Sequence, residues 1–428
     1  MFQSMKECTD FIFTLKASMY NGVPLELAQI ILKALGNPER GTKFIHIAGS
    51  NGKGSTLNAT REILMQHGLR VGAFISPHLE RANERITINK QQISDEQFLT
   101  YTNRIAHIVN TQLDGKFPSF FEMVTLIAFQ HFAQEEIDVA IMETGIGGRL
   151  DSTNVLTPEV SIITTISLEH TDMLGNTHAL IAAEKAGIIK AGKPVVVGVE
   201  NVEARAVIQT KAEVEEAPFY VLHKQIQVTD LLQGDSQMFT YRFENKIYEQ
   251  LALKMVGRHQ VHNAALAITA ATLFAPEISE ATIRQALATA SWEGRFERFS
   301  EQVILDGAHN SEGTTALINT LQQTEPEKRY KFIYAALQDK DHALSIALMD
   351  DVATAMYFTQ IELPRAAKAE QLAAQSKHVK KRSNPNWQQL VEQQLEALEK
   401  DELLIITGSL YFIAEVRSYL LRKGEMMK

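Results

Sequence analysis

The chain has 428 residues, of which 45% are hydrophobic and 22% are charged, which is the composition of a soluble globular protein. Because this length exceeds one ordinary hydrophobic core, we expect two domains, the first over residues 1–291 and the second over residues 292–428. The formal net charge of -9 argues against nucleic acid as the main partner. Cys8 is the sole cysteine, so an intrachain disulfide is excluded.

The N-terminal residues 1–7 contain no basic segment followed by an apolar run. No later stretch approaches the roughly 18 consecutive apolar residues of a membrane-spanning helix. The single cysteine gives no sign of an oxidising, secretory environment. We therefore expect a cytoplasmic protein that has no membrane partner.

Short apolar runs alternate with helical patterns through the first part of the chain. Runs of this length that are rich in β-branched residues predict buried parallel strands. The predicted strands are residues 44–48, 71–75, 139–142, 160–166 and 194–199, and the predicted helices are residues 55–67 and 120–134. This alternation predicts a doubly wound α/β domain with a mostly parallel sheet.

The pattern changes between residues 202 and 255, where alternating polar and apolar residues predict a small antiparallel appendage. Residues 244–246 are expected to form its hairpin turn. A second α/β series starts near residue 292 and predicts a C-terminal Rossmann-like domain. The remaining predicted helices are 260–274, 283–290 and 312–321, and the remaining predicted strands are 303–305, 332–335, 354–358 and 403–407.

Residues 45–56 take an apolar strand through a glycine-rich turn directly into a helix. Glycines let successive backbone N–H groups converge on an anion, and the helix N-terminus adds its positive dipole end. Lys53 is placed to reach the terminal phosphates of a nucleotide, and the hydroxyl of Ser55 or Thr56 is placed to bind Mg²⁺. The segment therefore predicts a nucleotide-binding loop.

The spacing within this loop departs from that of the usual nucleotide P-loop. Only Ser50 and Asn51 separate Gly49 from Gly52, where the usual loop has about four residues. A further glycine, Gly54, follows the lysine. The alternative interpretation is a strand-to-helix turn whose glycines serve positive φ angles alone. Phosphate binding is the favoured prediction.

Polar side chains follow two other predicted strands. Glu143 comes directly after one strand and His170 comes shortly after another. Ligands of open α/β sheets collect at the carboxyl ends of the strands, and a carboxylate there is suited to Mg²⁺. Both residues are therefore candidate metal ligands. The alternatives are an exposed loop glutamate and a structural histidine.

Lys185 lies among apolar residues on a predicted helix that ends near residue 190. A lysine on a helix usually belongs to a solvated face, but burial would lower the pKa of its amine. A neutral amine of this kind can react with CO₂ to give a carbamate, which is an anionic metal ligand. A solvated lysine and a carboxylated lysine are the two interpretations.

The second predicted domain has a polar cluster of its own. Asp306, His309 and Asn310 follow a predicted strand, which again places polar groups at a carboxyl end. Arg295 lies at the presumed linker, where we expect it to reach a nucleotide held between the domains. Residues 339–341 form a charged loop, for which a solvated surface explains the charges as well as a function does.

With these motifs in order, the chain resembles the folylpolyglutamate synthase and dihydrofolate synthase branch of the Mur ligase superfamily. The resemblance spans residues 44–412. The motifs at 76–79 and 83–86 favour this branch over the cell-wall ligases. The most specific segments are residues 49–55, 76–79, 83–86, 143–154, 170–175, 184–190 and 306–310.

The resemblance implies a set of site residues. Lys53, Lys185 and His170 would take part in catalysis, with Lys185 carboxylated and two Mg²⁺ ions bound. The implied nucleotide contacts are Asn51, Gly52, Lys53, Gly54, Ser55, Asn263, Arg295 and Asp306. The implied metal ligands are Ser76, Glu143, His170 and the carbamate of Lys185. The departures from the family pattern, none of which removes a proposed ligand, are Ser50, Glu169, Glu293 and Ser311.

The activity implied by the resemblance is ATP-dependent amide ligation. ATP would phosphorylate a folate carboxylate, and L-glutamate would attack the acyl phosphate to give an amide, ADP and phosphate. The acceptor would be the γ-carboxylate of tetrahydrofolate or folylpolyglutamate, with dihydropteroate, or both acceptors, as the alternative. A cell-wall ligase and a nucleotide-dependent switch without ligation are two less favoured interpretations. The family suggests a monomer whose partners are small molecules.

Overall fold

The computed structural model describes residues 1–16, 25–232, 237–338 and 342–426. The chain separates into two compact units. The first unit contains Met1–Asp230, Phe239–Ala252 and His262–Ala290, and the second contains Leu231–Met238, Leu253–Val261 and Ser291–Lys428. Among the described residues, none of the helices combines the length and the apolar character that a bilayer crossing requires.

The secondary structure alternates between helices and strands along most of the chain. The described helices are α1 (Met5–Ile12), α2 (Glu26–Ala34), α3 (Lys53–Gln66), α4 (Asp95–Gln112), α5 (Phe120–Gln134), α6 (Thr171–Leu174), α7 (His178–Ala186), α8 (Val202–Val214), α9 (Arg258–Phe274), α10 (Glu280–Thr289), α11 (Ser311–Thr324), α12 (His342–Asp350), α13 (Ala369–Gln375), α14 (Trp387–Glu396) and α15 (Leu410–Met426). The described strands are β1 (Phe44–Ala48), β2 (Val71–Phe74), β3 (Ile86–Ile88), β4 (Gln91–Gln92), β5 (Val139–Glu143), β6 (Val160–Ile163), β7 (Val195–Val197), β8 (Phe219–Val221), β9 (Ile226–Leu232), β10 (Gln237–Phe243), β11 (Lys246–Leu253), β12 (Glu297–Ser300), β13 (Val303–Asp306), β14 (Arg329–Tyr334), β15 (Ala353–Phe358), β16 (Lys381–Ser383) and β17 (Glu402–Thr407).

The main sheet of the first unit has the order β4-β3-β2-β5-β1-β6-β7-β8. The strands from β2 to β8 in this order run parallel, whereas β3 and β4 form an antiparallel edge. The chain leaves β1 toward β2 and β5 and then crosses to β6 on the other side of β1. In doubly wound sheets ligands bind at the carboxyl ends of the strands where the order reverses, so the loop after β1 lies at the expected ligand site.

Buried aromatic side chains hold helix α5 on this sheet. The rings of Phe44 on β1 and Phe129 on α5 meet edge to face with centroids 5.7 Å apart, and the ring of Phe74 on β2 contacts that of Phe121 on α5. Phe44, Phe74 and Phe129 are at most 1% exposed. Burying one such ring contributes about 1.5–3 kcal/mol, so these contacts anchor the strands that carry the site.

The predicted appendage is present as a separate small sheet, but its predicted start at residue 202 is wrong. Val202–Val214 is helix α8, and Phe219–Val221 is β8, the parallel edge strand of the main sheet. The separate sheet starts only at β9 and has the order β11-β10-β9. Its strands β10 and β11 are joined by Glu244 and Asn245 alone, which is the connection of a β-hairpin and confirms the predicted turn.

The second unit contains a six-stranded sheet in the order β12-β13-β17-β14-β15-β16. The strands from β13 to β16 in this order run parallel, and β12 adds an antiparallel edge. Helices α11 to α14 alternate with these strands along the chain, and α15 follows the last strand. This arrangement confirms the predicted Rossmann-like α/β fold.

Candidate active site

The loop after β1 is held in place by hydroxyl groups that follow β6. Asn51 N donates to Thr165 Oγ1 at 2.9 Å, and Ser50 N donates to the Thr165 carbonyl oxygen at 2.9 Å. The Thr164 hydroxyl donates to the Asn51 carbonyl oxygen at 2.7 Å. Ser167 N donates to the Ser50 hydroxyl at 2.9 Å. Because both sides of the loop are bonded, its backbone is fixed before a ligand arrives, which lowers the cost of binding.

Helix α3 begins at Lys53, two residues before the predicted start at residue 55. Gly52 is its N-cap, with a φ of 88°. The Lys53 ammonium donates to the carbonyl oxygens of Gly49 at 2.8 Å and Ser50 at 3.2 Å. The loop therefore combines a lysine with the N-terminus of a helix, and both favour a phosphate group.

Close contacts require two glycines of this loop. A Cβ atom at Gly49 would overlap with the hydroxyl of Thr164, and a Cβ atom at Gly52 would overlap with the side-chain oxygen of Asn263. Positive φ angles alone do not explain this close approach. The contact also brings Asn263, a predicted nucleotide contact, against the predicted phosphate loop.

Replacing Gly52 with alanine should weaken ADP binding by at least about tenfold, which corresponds to about 1.4 kcal/mol. The new Cβ atom displaces the Asn263 side chain, and a left-handed φ costs a non-glycine residue about 1–2 kcal/mol. Gly192→Ala is a matched control, because Gly192 has a φ of 68° and a Cβ atom there meets nothing within 4 Å. Calorimetric titration with ADP should separate the two variants, and equal ADP affinities would contradict the role given to the contact.

Glu143 is the last residue of β5 and pairs with Ile47 of β1 in the sheet. Glu143 is only 4% exposed, so the alternative interpretation as an exposed loop glutamate does not hold. Ser76 N donates to Glu143 Oε2 at 3.4 Å. The structure thus brings together two of the predicted metal ligands, and oxygen donors of this type are those that Mg²⁺ prefers.

Lys185 is 2% exposed, and its ammonium nitrogen lies 3.1 Å from Glu169 Oε1, so Lys185 is not on a solvated face. Burial lowers the pKa of Lys185 to about 8, because Glu169 opposes only part of this effect and the charge of Lys53 adds to it. Burial alone would raise the pKa of Glu169, but the positive charges of Lys185 and Lys53 lower the pKa of that carboxyl to about 2. A part of the Lys185 amine is therefore neutral near pH 7.

His170 lies between Glu169 and helix α6. Its φ of 47° is left-handed, and its carbonyl oxygen accepts hydrogen bonds from Met173 N and Leu174 N, both at 2.9 Å. Such backbone conformations cost energy and are concentrated at functional sites. The residue belongs to the first unit, as do Glu143 and Lys185.

A buried polar network fixes the glycine-rich loop after β5, and no motif in the sequence indicates it. The Asp151 carboxylate accepts hydrogen bonds from Gly145 N at 2.8 Å and Ile146 N at 3.1 Å, and from the Thr153 hydroxyl at 2.5 Å. Thr153 Oγ1 lies 2.7 Å from His46 Nε2. Burial raises the pKa of Asp151 and lowers the pKa of His46 to about 3, so this histidine is neutral.

Arg295 and Asp306 interact within the second unit. Asp306 accepts hydrogen bonds from Phe296 N at 2.7 Å and Ala308 N at 2.9 Å. Burial raises the pKa of the Asp306 carboxyl, and the charge of Arg295 opposes that effect. Burial, together with the charge of Arg295, lowers the pKa of His259 to about 4. His259 is a neutral member of this cluster that the sequence analysis missed.

His309 and Asn310, the other polar residues of the motif after β13, contact groups that are near them along the chain. His309 Nδ1 lies 3.0 Å from the Gly307 carbonyl oxygen. Asn310 caps α11, since its side-chain oxygen accepts a hydrogen bond from Gly313 N at 2.8 Å. The charged loop at residues 339–341 lies outside the described residues.

A glycine-rich phosphate loop on a doubly wound sheet, followed by a Rossmann-like unit, defines the ATP-dependent ligases of the Mur type. The family model for the Mur ligase middle domain matches residues 47–271, and the model for the Mur ligase glutamate ligase domain matches residues 294–410. The matches cover the two α/β regions described above.

Two relatives indicate which family of Mur-type ligases the chain belongs to. A dihydrofolate synthase/folylpolyglutamate synthase of Bacillus subtilis is 39% identical over 405 residues, which cover 91% of this chain and 93% of that protein. A folylpolyglutamate synthase of Lacticaseibacillus casei is 36% identical over 406 residues, which cover 91% of this chain and 93% of that protein. The chain belongs to the folylpolyglutamate synthase/dihydrofolate synthase family of the Mur ligase superfamily.

Solved structures of the same type superimpose on nearly the whole chain. FolC of Escherichia coli in complex with DHPP and ADP has a TM-score of 0.91 at 28% identity and 98% coverage of both chains. The bifunctional folylpolyglutamate synthase/dihydrofolate synthase of Yersinia pestis, complexed with AMPPNP and Mn ion, has a TM-score of 0.89 at 30% identity, again with 98% coverage of both chains. The E. coli structure therefore contains ADP, and the Y. pestis structure contains AMPPNP and a Mn ion.

Proposed function

We propose that the chain adds L-glutamate to the γ-carboxylate of tetrahydrofolate or of a folylpolyglutamate, using ATP and releasing ADP and phosphate. The observation that carries this proposal is the preorganised loop after β1, whose carbonyl oxygens accept hydrogen bonds from the Lys53 ammonium. The buried Glu143 lies at the end of the neighbouring strand. Glu143 and Lys53 suit phosphoryl transfer, and the family membership supports the folate acceptor.

Phosphoryl transfer to the acceptor carboxylate would produce an acyl phosphate, which the amine of L-glutamate attacks. The chain needs no nucleophile of its own for these steps. Lys53 stabilises the charge that develops on the transferring phosphoryl group, while the fixed loop amides hold the triphosphate in position. Asn51, Gly52, Gly54, Ser55 and Asn263 are the further nucleotide contacts that we propose in the first unit, and Arg295 and Asp306 are those that we propose in the second.

Ser76, Glu143 and His170 are the residues that we propose to hold Mg²⁺. The 3.4 Å contact between Ser76 N and Glu143 Oε2 supports a shared site, and a carboxylate with a hydroxyl suits a hard cation. When bound, the cation neutralises phosphate charge and polarises phosphoryl oxygens. His170 and a carboxylated Lys185 are proposed to hold a second ion.

The carbamate would form when the neutral amine of Lys185 attacks the carbon of CO₂. A bond forms between Nζ and carbon, the nitrogen loses a proton to solvent, and an anionic carbamate results. The burial of Lys185 and its lowered pKa support this modification, since only the neutral amine has a free electron pair.

The proposed reaction is tested by ADP release from the purified chain with ATP, Mg²⁺ and L-glutamate. Stimulation by tetrahydrofolate alone would identify a folylpolyglutamate synthase, whereas stimulation by dihydropteroate as well would identify a bifunctional enzyme. The name of the B. subtilis relative supports the bifunctional enzyme as the second candidate. ADP release that is independent of L-glutamate and of both acceptors would overturn the proposal.

A further inference from the structure

Three side chains that commonly bind metals converge in the first unit, apart from the residues proposed to hold Mg²⁺. Glu200 lies between β7 and α8, His223 follows β8, and His262 lies in the first turns of α9. Each offers one ligand atom, and the three atoms lie within 4.8 Å of one another. Three separate elements therefore bring two imidazoles and one carboxylate to the same point.

The distances at this cluster are close to those of a metal site. Glu200 Oε1 lies 3.7 Å from His223 Nε2 and 3.7 Å from His262 Nδ1. Metal–ligand bonds of about 2.0–2.1 Å in a tetrahedral site place ligand atoms roughly 3.4 Å apart. The two imidazole rings are nearly perpendicular, with an interplanar angle of 78° and centroids 4.9 Å apart, so they do not stack on each other.

An ordinary surface ion pair does not account for the convergence. The side chains of Glu200 and His223 are 68% and 40% exposed, and exposed pairs contribute only about 0–1 kcal/mol. His223 also has a left-handed φ of 64°, which costs a non-glycine residue about 1–2 kcal/mol. The exposed ion pair therefore contributes little stability, while the turn at His223 is held by backbone hydrogen bonds from His223 N to the Ile226 carbonyl oxygen at 2.7 Å and from Lys224 N to the Val221 carbonyl oxygen at 3.1 Å.

We propose that Glu200, His223 and His262 form a binding site for a divalent transition-metal ion of the Zn²⁺ type. Imidazole nitrogens with one carboxylate suit such an ion, and solvent completes its coordination. Mg²⁺ prefers oxygen ligands, so this site and the one proposed for the reaction select different ions.

The position of His262 gives the site a consequence for nucleotide binding. The next residue, Asn263, lies against Gly52 of the phosphate loop. An ion bound here joins the loops after β7 and β8 to the start of α9, and so restricts the motion of the segment that carries Asn263.

The test is calorimetric titration of the full chain with Zn²⁺ in excess Mg²⁺, without ATP or folate. We expect one Zn²⁺ per chain, and His223→Gln and Glu200→Gln should weaken its binding by at least about tenfold, since loss of even an outer partner of a metal site costs about 10- to 100-fold. Thermal unfolding without metal shows whether each variant folds. His107→Gln is the matched control, because His107 is an exposed histidine on α4 outside the cluster.

Wild-type affinity for Zn²⁺ in His223→Gln or Glu200→Gln would overturn the proposal, as would the absence of Zn²⁺ binding by the wild-type chain. An equal loss in His107→Gln would identify non-specific binding to surface histidines, which also overturns it. Since neither substrate is present, these outcomes do not depend on the proposed ligase activity.

Discussion

Lys185→Ala is expected to lower kcat for ligation by about 10³-fold, the upper end of the range for loss of one preorganised electrostatic group. The proposed carbamate cannot form without the amine, so one anionic ligand is lost. Short carboxylic acids such as acetate should restore part of the activity by entering the space that the side chain leaves. The measurement is ADP release with and without added acetate.

The control variants separate chemistry from folding. Breaking a buried ion pair costs about 3–5 kcal/mol, and Lys185→Ala leaves the buried carboxylate of Glu169 without its lysine. Lys185→Gln keeps an N–H donor for Glu169, and we expect it to be folded, inactive and insensitive to acetate. Lys193→Ala removes a lysine from a half-exposed pair with Glu159 and should retain activity. Full activity of Lys185→Ala without acetate would contradict the carbamate proposal.

The pH dependence of CO₂-dependent activation follows from the same lysine. With a pKa of about 8, the neutral fraction of Lys185 rises from about one tenth at pH 7 to about nine tenths at pH 9. The initial rate of activation, measured after CO₂ removal and re-addition, should therefore rise about tenfold and level off near pH 9. A lysine with an ordinary pKa near 10.4 would give a rise of about a hundredfold with no plateau.

The central strands β1, β2, β5, β6 and β7 of the main sheet were accessible from the sequence because all of their residues are buried, as is typical of parallel strands covered on both faces. Their short apolar runs are distinctive, and β1 matches its predicted bounds at Phe44–Ala48. Helix α8 was missed because its buried stripe is thin. Only Ala204, Ile208 and Ala212 of that helix are buried. A signal for its start was present, since the Asn201 side chain accepts a hydrogen bond from Ala204 N, as a helix N-cap does.

The contacts within the site were less accessible, because they join residues that are distant along the chain. The bond between Asn51 N and Thr165 Oγ1 spans 114 positions, and no local spacing indicates it. Lys185 and Glu169 are 16 positions apart and lie on different elements. The motifs therefore indicated which residues have side chains suited to binding a nucleotide or a metal ion. The burial of these side chains and their hydrogen-bond partners became known only from the tertiary structure.

Lys53→Met is expected to lower kcat by about 10²–10³-fold, the cost of removing one charge that stabilises a transferring phosphoryl group. Its second effect is on Lys185. The positive charge of Lys53 lowers the pKa of Lys185, so its removal should raise that pKa and shift carbamate formation to higher pH. Because methionine has nearly the same length as lysine, packing around the loop changes little.

The two effects of Lys53→Met are measured separately, kcat by ADP release and the carbamate by ¹³C NMR with labelled bicarbonate across pH. Lys43→Met is the matched control, because Lys43 is an exposed lysine directly before β1, at the opposite end of the strand from the phosphate loop. The control should leave both quantities unchanged. If Lys53→Met loses activity while the carbamate signal keeps its pH profile, Lys53 acts on the nucleotide alone. That outcome would contradict the prediction that the charge of Lys53 lowers the pKa of Lys185.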